Sequence, residues 1–122
     1  MRRFTLVLLS VCCLFAAGSA EAQSGFSGTY AVTGTNPGVG AYQGTLTITP
    51  RGDVYDVRWS IANVKYTGVG IVVNDTLSVA YSDGDRSFIG VAAYRRRHDS
   101  LEGNWAVKGG VAALGSETAR RK

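Results

Sequence analysis

The stretch YQGTLTITPRGDVYDVRWSI, residues 42–61, alternates apolar with polar side chains on both sides of a turn. An alternation with a period of two indicates β-strands that bury one face. The positions on the buried face are Tyr42, Gly44, Leu46 and Ile48 before the turn and Tyr55, Val57, Trp59 and Ile61 after it. Because paired residues of a hairpin point to the same face, the turn is either Arg51-Gly52 or the four residues 50–53.

The same alternation continues along the chain and predicts eight strands without a helix. The predicted strands cover residues 26–33, 42–49, 55–61, 64–73, 76–81, 87–95, 100–107 and 111–120. Ala62-Asn63, Asn74-Asp75 and Gly84-Asp85 are expected to form two-residue loops, and residues 96–99 a four-residue loop. The loop at 34–41 is longer, and the phase of the last strand stays open.

Eight antiparallel strands joined by short turns leave two exposed sheet edges unless the sheet closes on itself. The predicted fold is therefore an all-β, eight-stranded antiparallel up-and-down β-barrel. A two-sheet β-sandwich is the alternative. It needs crossover connections between its sheets, and most of these turns are too short for them.

The N-terminus predicts export. "MRR" precedes an apolar run over residues 4–17, and Ala20 and Ala22 occupy the small-residue positions before Gln23. This pattern is typical of a secretory signal peptide, here residues 1–22, whose apolar core is short for a membrane span. We expect residues 23–122 to form one barrel domain, periplasmic or extracellular, without a transmembrane span.

Composition excludes further classes. Both cysteines, Cys12 and Cys13, lie in the predicted signal peptide, so the mature chain has no disulfide and no thiolate metal ligand. Its 11 basic and 8 acidic side chains, after Arg2, Arg3 and Glu21 are removed from 13 and 9, give a net charge of +3. The basic residues form two clusters, at 95–97 and 120–122, rather than a groove interleaved with aromatic residues. We therefore expect no nucleic-acid partner.

All aromatic residues of the mature chain fall on the buried face. They are Phe26, Tyr30, Tyr42, Tyr55, Trp59, Tyr66, Tyr81, Phe88, Tyr94 and Trp105. Several stand two positions from a glycine in the same strand, which leaves room for a ring over the backbone. The rings form either a packed core or a partly open pocket with tyrosine hydroxyls as polar groups. The candidate ligand site is the barrel mouth beside the 34–41 loop, with Tyr30, Tyr42, Trp59 and Trp105 as its walls.

Short motifs resemble a known group of barrels. "SGTY" on the first strand, the repeated Gly-x-aromatic units, "LEGNW" on the seventh and "TARRK" on the eighth are similar to the calycins, which include lipocalins and avidins. The resemblance implies that an arginine of the last strand covers an aromatic residue of the first. Gly28, Tyr30 and Arg120 would take these places. The glycine-rich pattern also resembles small exported bacterial proteins, some of which carry a fibronectin-binding label.

Catalytic groups are scarce. His98 is the only histidine and stands beside Asp99 and Ser100, but neighbours along a turn seldom meet the geometry of a catalytic triad. Asp83 and Asp85 lack the further oxygen ligands of a calcium loop. Glu117 points inward only if the last strand keeps its odd residues inside. The sequence therefore predicts no catalytic residue, no metal and no cofactor.

The predicted outer surface carries two further features. Apolar residues face outward on the fourth and sixth strands, which predicts a self-association or protein interface. They are Val69, Ile71, Val73, Ile89 and Val91. The tripeptide Arg51, Gly52, Asp53 lies at an exposed hairpin tip; a turn explains it, and receptor binding is the minor alternative.

Together these observations predict an exported, non-enzymatic binding module that holds a small apolar or aromatic ligand at the barrel mouth. One alternative is an adhesion or protein-interaction protein that uses the outer wall and the hairpin tips, including a fibronectin-binding-like role. Another is a structural envelope component or an inhibitor.

Overall fold

The computed structural model describes residues 25–85 and 87–122, so the predicted signal peptide lies outside the described residues. The described part contains eight strands: β1 (Gly28–Thr35), β2 (Ala41–Arg51), β3 (Val54–Ile61), β4 (Val64–Val73), β5 (Thr76–Asp83), β6 (Gly90–Arg97), β7 (Ser100–Val107) and β8 (Gly115–Arg121). Within these residues no helix is long and apolar enough to cross a membrane.

The strands form a closed antiparallel barrel in chain order. Each strand pairs with its neighbours in sequence, and β1 pairs with β8, for example at Val32 and Ala119. Closure gives both edges of every strand a hydrogen-bonded partner, so the described sheet has no free edge. The predicted eight-stranded up-and-down barrel is confirmed, and the sandwich alternative is not observed.

Two predicted turns differ from those in the structure. Arg51 pairs with Val54, so the β2–β3 turn is Gly52-Asp53 and both predicted versions are wrong. The reason is that Gly52 supplies the positive φ, 58°, at the first loop position. Arg97 pairs with Ser100, which leaves a two-residue loop in place of the predicted four. His98 adopts φ 55° there, and histidine is among the non-glycine residues that occur more often in this region.

The β5–β6 connection is longer than predicted. It runs over residues 84–89, so the expected two-residue loop Gly84-Asp85 and a strand start at 87 are wrong. The Asp83 carboxylate accepts hydrogen bonds from the backbone N–H of Ser87 at 2.9 Å and from its hydroxyl at 2.5 Å. These bonds replace strand pairing. The loops Ala62-Asn63 and Asn74-Asp75 are as predicted, and all four residues have positive φ.

The last strand begins at Gly115, and the predicted start at 111 is wrong because residues 108–114 form the connection. The N–H of Gly110 donates to the carbonyl of Val107 at 3.1 Å, which turns the chain away from the sheet. A connection with an odd number of residues leaves the odd positions of β8 on the same face as those of β7. Glu117 and Ala119 therefore point into the barrel, and this resolves the open phase.

Glycine and aromatic residues pair directly across neighbouring strands inside the barrel. Four such pairs are Gly34 with Tyr42, Gly90 with Tyr81, Gly103 with Tyr94, and Gly115 with Trp105. A β-carbon at any of the four glycines would overlap the ring of its partner. The sequence had suggested such contacts along one strand, whereas the structure places them across two.

The two ends of the barrel differ. The closed end carries the turns 52–53, 74–75 and 98–99 and is covered by residues 25–27. There Arg121 lies over the ring of Tyr30 at 5.1 Å, and its guanidinium donates to the Tyr30 hydroxyl at 3.1 Å. Arg96 covers Phe26 in the same way at 5.2 Å. The covering arginine is thus Arg121, and the expectation for Arg120 is wrong because even positions of β8 face outward.

The glycine–aromatic pairs yield a stability prediction. Gly103→Ala forces a methyl group against the buried ring of Tyr94 and the carbonyl of Ala93. Overpacking of this kind costs about 1–3 kcal/mol of unfolding free energy, which urea denaturation measures. Gly84→Ala is the control, because a β-carbon there meets no atom within 4 Å. Equal stability of the two variants would contradict the steric role of Gly103.

Candidate functional site

A cavity of about 440 Å³ opens at the mouth, the barrel end that carries the connections 36–40, 62–63, 84–89 and 108–114. Its walls are mostly aromatic and aliphatic, and the residues that line it are Asn36, Tyr42, Trp59, Ile61, Ala62, Val64, Tyr66, Tyr81, Phe88, Ala92, Tyr94, Trp105, Val107 and Glu117. This volume lies within the range of small-molecule sites. Below the cavity the interior is filled by buried aliphatic residues such as Leu46, Leu77 and Leu101.

The structure brings together three of the four predicted ligand-binding residues. Tyr42, Trp59 and Trp105 line the cavity. Tyr30 shares their inward face but lies at the closed end, where its hydroxyl donates to the carbonyl of Phe26 at 2.7 Å. Ligand binding by any of these residues stays a prediction.

The cavity rings form two groups. Trp59 and Tyr81 lie with their centroids 5.1 Å apart, and Tyr66 and Phe88 continue this group toward the mouth. On the opposite side Tyr42 meets Trp105 edge to face at 6.2 Å. Offset and edge-to-face pairs of this kind stabilise one another beyond their buried area. They also present ring faces and edges to the space between the groups.

Glu117 of β8 connects the two groups of rings through hydrogen bonds. Its Oε1 accepts a hydrogen bond from the Tyr42 hydroxyl at 3.1 Å, and its Oε2 accepts one from the Trp59 indole N–H at 3.3 Å. The Tyr94 hydroxyl donates a third, also to Oε2. The side chain is nearly buried, with the residue 5% exposed. Among the cavity-lining residues that the structure describes, Glu117 is the only charged one.

Burial dominates the acid–base behaviour of this group. Desolvation raises the pKa of Glu117, although the three hydrogen bonds from Tyr94, Trp59 and Tyr42 oppose the shift. Burial and the nearby carboxylate raise the pKa of Tyr81 to about 12. The same two causes raise the pKa of the Tyr42 and Tyr94 hydroxyls further. The tyrosines therefore remain neutral donors at physiological pH.

Sequence reasoning did not assign Glu117 to the site. Its inward direction depends on the seven-residue length of the β7–β8 connection, residues 108–114, and the sequence marks only the start of that loop with Gly109-Gly110. Tyr66, Tyr81 and Phe88 were also absent from the predicted site. The sequence correctly predicted that their side chains point inward. The alternation of apolar and polar residues does not predict how far along the barrel axis each side chain lies.

The predicted interface residues form one apolar wall on the outside of the barrel. Val69 of β4 is opposite Ala80 of β5, and Ala80 is opposite Val91 of β6. The apolar wall consists of Val69, Ile71, Val73, Ile89 and Val91, each between 45% and 57% exposed. The small residues of β5 leave a shallow groove between the larger ones. An interface on this wall stays a prediction.

The tripeptide 51–53 lies at the closed end, away from the cavity. Arg51 belongs to β2, and its guanidinium donates two hydrogen bonds to the Asp56 carboxylate, at 2.8 and 3.1 Å. This contact lowers the pKa of Asp56. Only Gly52 and Asp53 form the turn. Receptor binding stays a prediction, and it would require Arg51 to leave Asp56.

Comparison with known proteins supports the fold. No protein-family model matches the sequence, and no curated protein matches it either. A redesigned β-barrel, mFAP1, bound to DFHBI is similar with a TM-score of 0.69 and 20% identity, over 83% of this chain and 99% of that one. The apo Caenorhabditis elegans lipid binding protein 8 is similar with a TM-score of 0.53 and 12% identity, over 80% and 95%.

A designed fluorescence-activating β-barrel is a third similar structure, with a TM-score of 0.68 and 20% identity over 84% of this chain and 98% of that one. At such identities the likeness establishes a shared eight-stranded barrel. The eight-stranded barrel that the resemblance implied is thus confirmed, and no sequence family supports the Gly-x-aromatic repeats as a family signature.

The raised pKa of Glu117 predicts how stability depends on pH. The folded protein keeps the Glu117 proton at pH values where the unfolded chain, with the ordinary value of 4.5, has lost it. The stability from this group is therefore complete below that value and is lost as pH rises through the folded pKa. Each unit of difference corresponds to about 1.4 kcal/mol of unfolding free energy.

Denaturation of the wild type, Glu117→Gln and Glu102→Gln across the acidic and neutral range measures this effect. We expect the loss of stability with rising pH to flatten in Glu117→Gln. The exterior variant Glu102→Gln, which lies on the outward face of β7, should keep the wild-type slope. If the unfolding free energy of all three proteins changed with pH in the same way, the predicted raised pKa of Glu117 in the folded protein would be contradicted.

Proposed function

We propose that the protein is an exported, non-enzymatic binding module that holds a small, largely apolar or aromatic molecule in the mouth cavity. The observation that carries the proposal is the cavity itself, about 440 Å³ between two groups of aromatic rings. Rings in this arrangement bury an apolar ligand, and the polar groups of Tyr42 and Glu117 would orient it. The proposal of export rests on the sequence pattern of residues 1–22.

Similar structures support this proposal at the level of the fold. One barrel is bound to DFHBI and another is a lipid binding protein, so the architecture accommodates small molecules in other chains. In this chain the aromatic residues at the mouth, rather than those at the closed end, leave space unfilled. The long connections around the mouth give a ligand access from that side.

Removal of a ring from the mouth tests the proposal. We expect the neutral fluorescent probe prodan to bind the wild type with a blue-shifted emission. Phe88→Ala deletes a ring that packs on Tyr66 at 5.7 Å and on Tyr81 at 6.1 Å. It should weaken prodan binding about tenfold, the equivalent of about 1.4 kcal/mol.

Thr47→Ala, an outward position on β2, is the control for the prodan titration. It should bind as the wild type does. Absence of prodan binding to the wild type, or equal affinities for Phe88→Ala and the wild type, would contradict a ligand site in the cavity.

A second proposal concerns the outer surface. We propose that the apolar wall mediates self-association, because five aliphatic residues of β4, β6 and the connection before β6, on either side of β5, are about half exposed. Isolated apolar residues on a surface are ordinary, whereas a continuous patch marks an interface. Ile71 is opposite Ser78 and Val69 is opposite Ala80, so the small residues of β5 leave a groove that could receive large apolar side chains of a second copy.

Analytical ultracentrifugation at increasing protein concentration tests self-association. We expect the wild type to form dimers and Val91→Glu, which places a charge on the β6 side of the wall, to remain monomeric. Ser60→Glu on the exposed face of β3 is the control and should associate as the wild type does. A wild type that stays monomeric at high concentration would contradict this role of the wall.

A further inference from the structure

Glu117 has an unused acceptor position on a carboxylate that lines the cavity. A carboxylate offers about four lone-pair sites on two oxygens. Oε2 accepts from Trp59 and Tyr94, whereas Oε1 accepts only from Tyr42, at 3.1 Å. The residue lines the cavity. A donor that enters from the mouth can therefore bond to Oε1 without displacing one of the three existing partners.

The charge of this carboxylate has no counterion in the cavity. All three donors are neutral, and no lysine, arginine or histidine is among the described lining residues. The arginines that enter the barrel ends, Arg96 and Arg121, lie over Phe26 and Tyr30 at the closed end. A buried carboxylate without an opposite charge is unfavourable unless a proton or a cation neutralises it.

The surrounding rings are suited to a cation. Trp59, Tyr66, Tyr81 and Phe88 form a continuous group whose neighbouring centroids are 5.1 to 6.3 Å apart. The negative faces of such rings attract ammonium groups, and the attraction strengthens where water is excluded. A carboxylate ligand would instead add a second negative charge beside Glu117.

We propose that the cavity selects a cationic amine with an aromatic or aliphatic body, whose ammonium group donates to Oε1 of Glu117 while its body packs against Trp59, Tyr66, Tyr81 and Phe88. This inference rests on the proposed ligand-binding function and specifies its ligand class. It separates cationic ligands from neutral and anionic ones of the same size.

Three indole compounds of similar shape test the selectivity: tryptamine as the cation, 3-methylindole as the neutral compound and indole-3-propionate as the anion. Dissociation constants come from titrations followed by ¹H–¹⁵N chemical shifts near neutral pH. We expect the wild type to prefer tryptamine over 3-methylindole by at least tenfold and to bind indole-3-propionate most weakly. In Glu117→Gln the preference for tryptamine should fall to about one, whereas Glu102→Gln on the outer face keeps it.

The pH dependence of binding to the wild type gives a second measurement that needs no variant. The groups around the carboxylate are Tyr42 of β2, Trp59 of β3, Tyr81 of β5, Tyr94 of β6 and Trp105 of β7, and the tyrosines are neutral below about pH 10. Tryptamine affinity should therefore rise with pH as Glu117 ionises. The affinity of 3-methylindole should not follow this curve.

The outcomes distinguish the two proposals. Binding of 3-methylindole or prodan with equal or weaker binding of tryptamine would overturn the selectivity for amines and leave the ligand cavity in place. Failure of prodan and all three indoles to bind the wild type would overturn both. Tryptamine selectivity that survives in Glu117→Gln, together with a flat pH profile, would show that another group supplies the preference.

Discussion

The interior of this barrel depends on a steric exchange: several inward aromatic rings lie beside a strand that carries a glycine at the paired position. Gly103 opposite Tyr94 and Gly115 opposite Trp105 illustrate the rule. An eight-stranded barrel has a narrow interior, and a glycine on the neighbouring strand gives an inward ring room to lie over the backbone. The position of the glycines therefore decides where rings lie and where space remains.

Much of this architecture is accessible from the sequence, and the reason is the period of two. Alternation fixes which face each residue occupies, and it correctly placed Tyr42, Trp59 and Trp105 inside. It does not fix the level of a residue along the barrel axis. For this reason Tyr30 points inward as predicted but lies at the closed end of the barrel instead of at the mouth. Parity likewise admits registers that differ by two residues, which is how the turn at Gly52 was misplaced.

The central residue of the site escaped prediction for a different reason. The direction of Glu117 depends on whether the connection before β8 has an odd or even number of residues, and loop length is not encoded in a periodic pattern. His98 shows the same limitation at a turn, since its positive φ is set by the strand register around it. Periodicity thus predicts which face of the sheet a residue occupies. The pairing of strands in the folded barrel determines loop lengths and the position of each residue along the barrel axis.

The arginine cover at the closed end has a kinetic consequence. Arg121 bonds to Tyr30 and to the carbonyl of Ser27, and Arg96 lies over Phe26, so the closed end is covered whereas the cavity opens at the mouth. A guest would enter and leave along one path. Under the proposed function, a rival molecule could not enter until the occupant had departed, so its concentration would not change the rate of departure. Exchange of one guest for another would then be sequential, and both the contacts inside the cavity and the mouth connections would set the residence time.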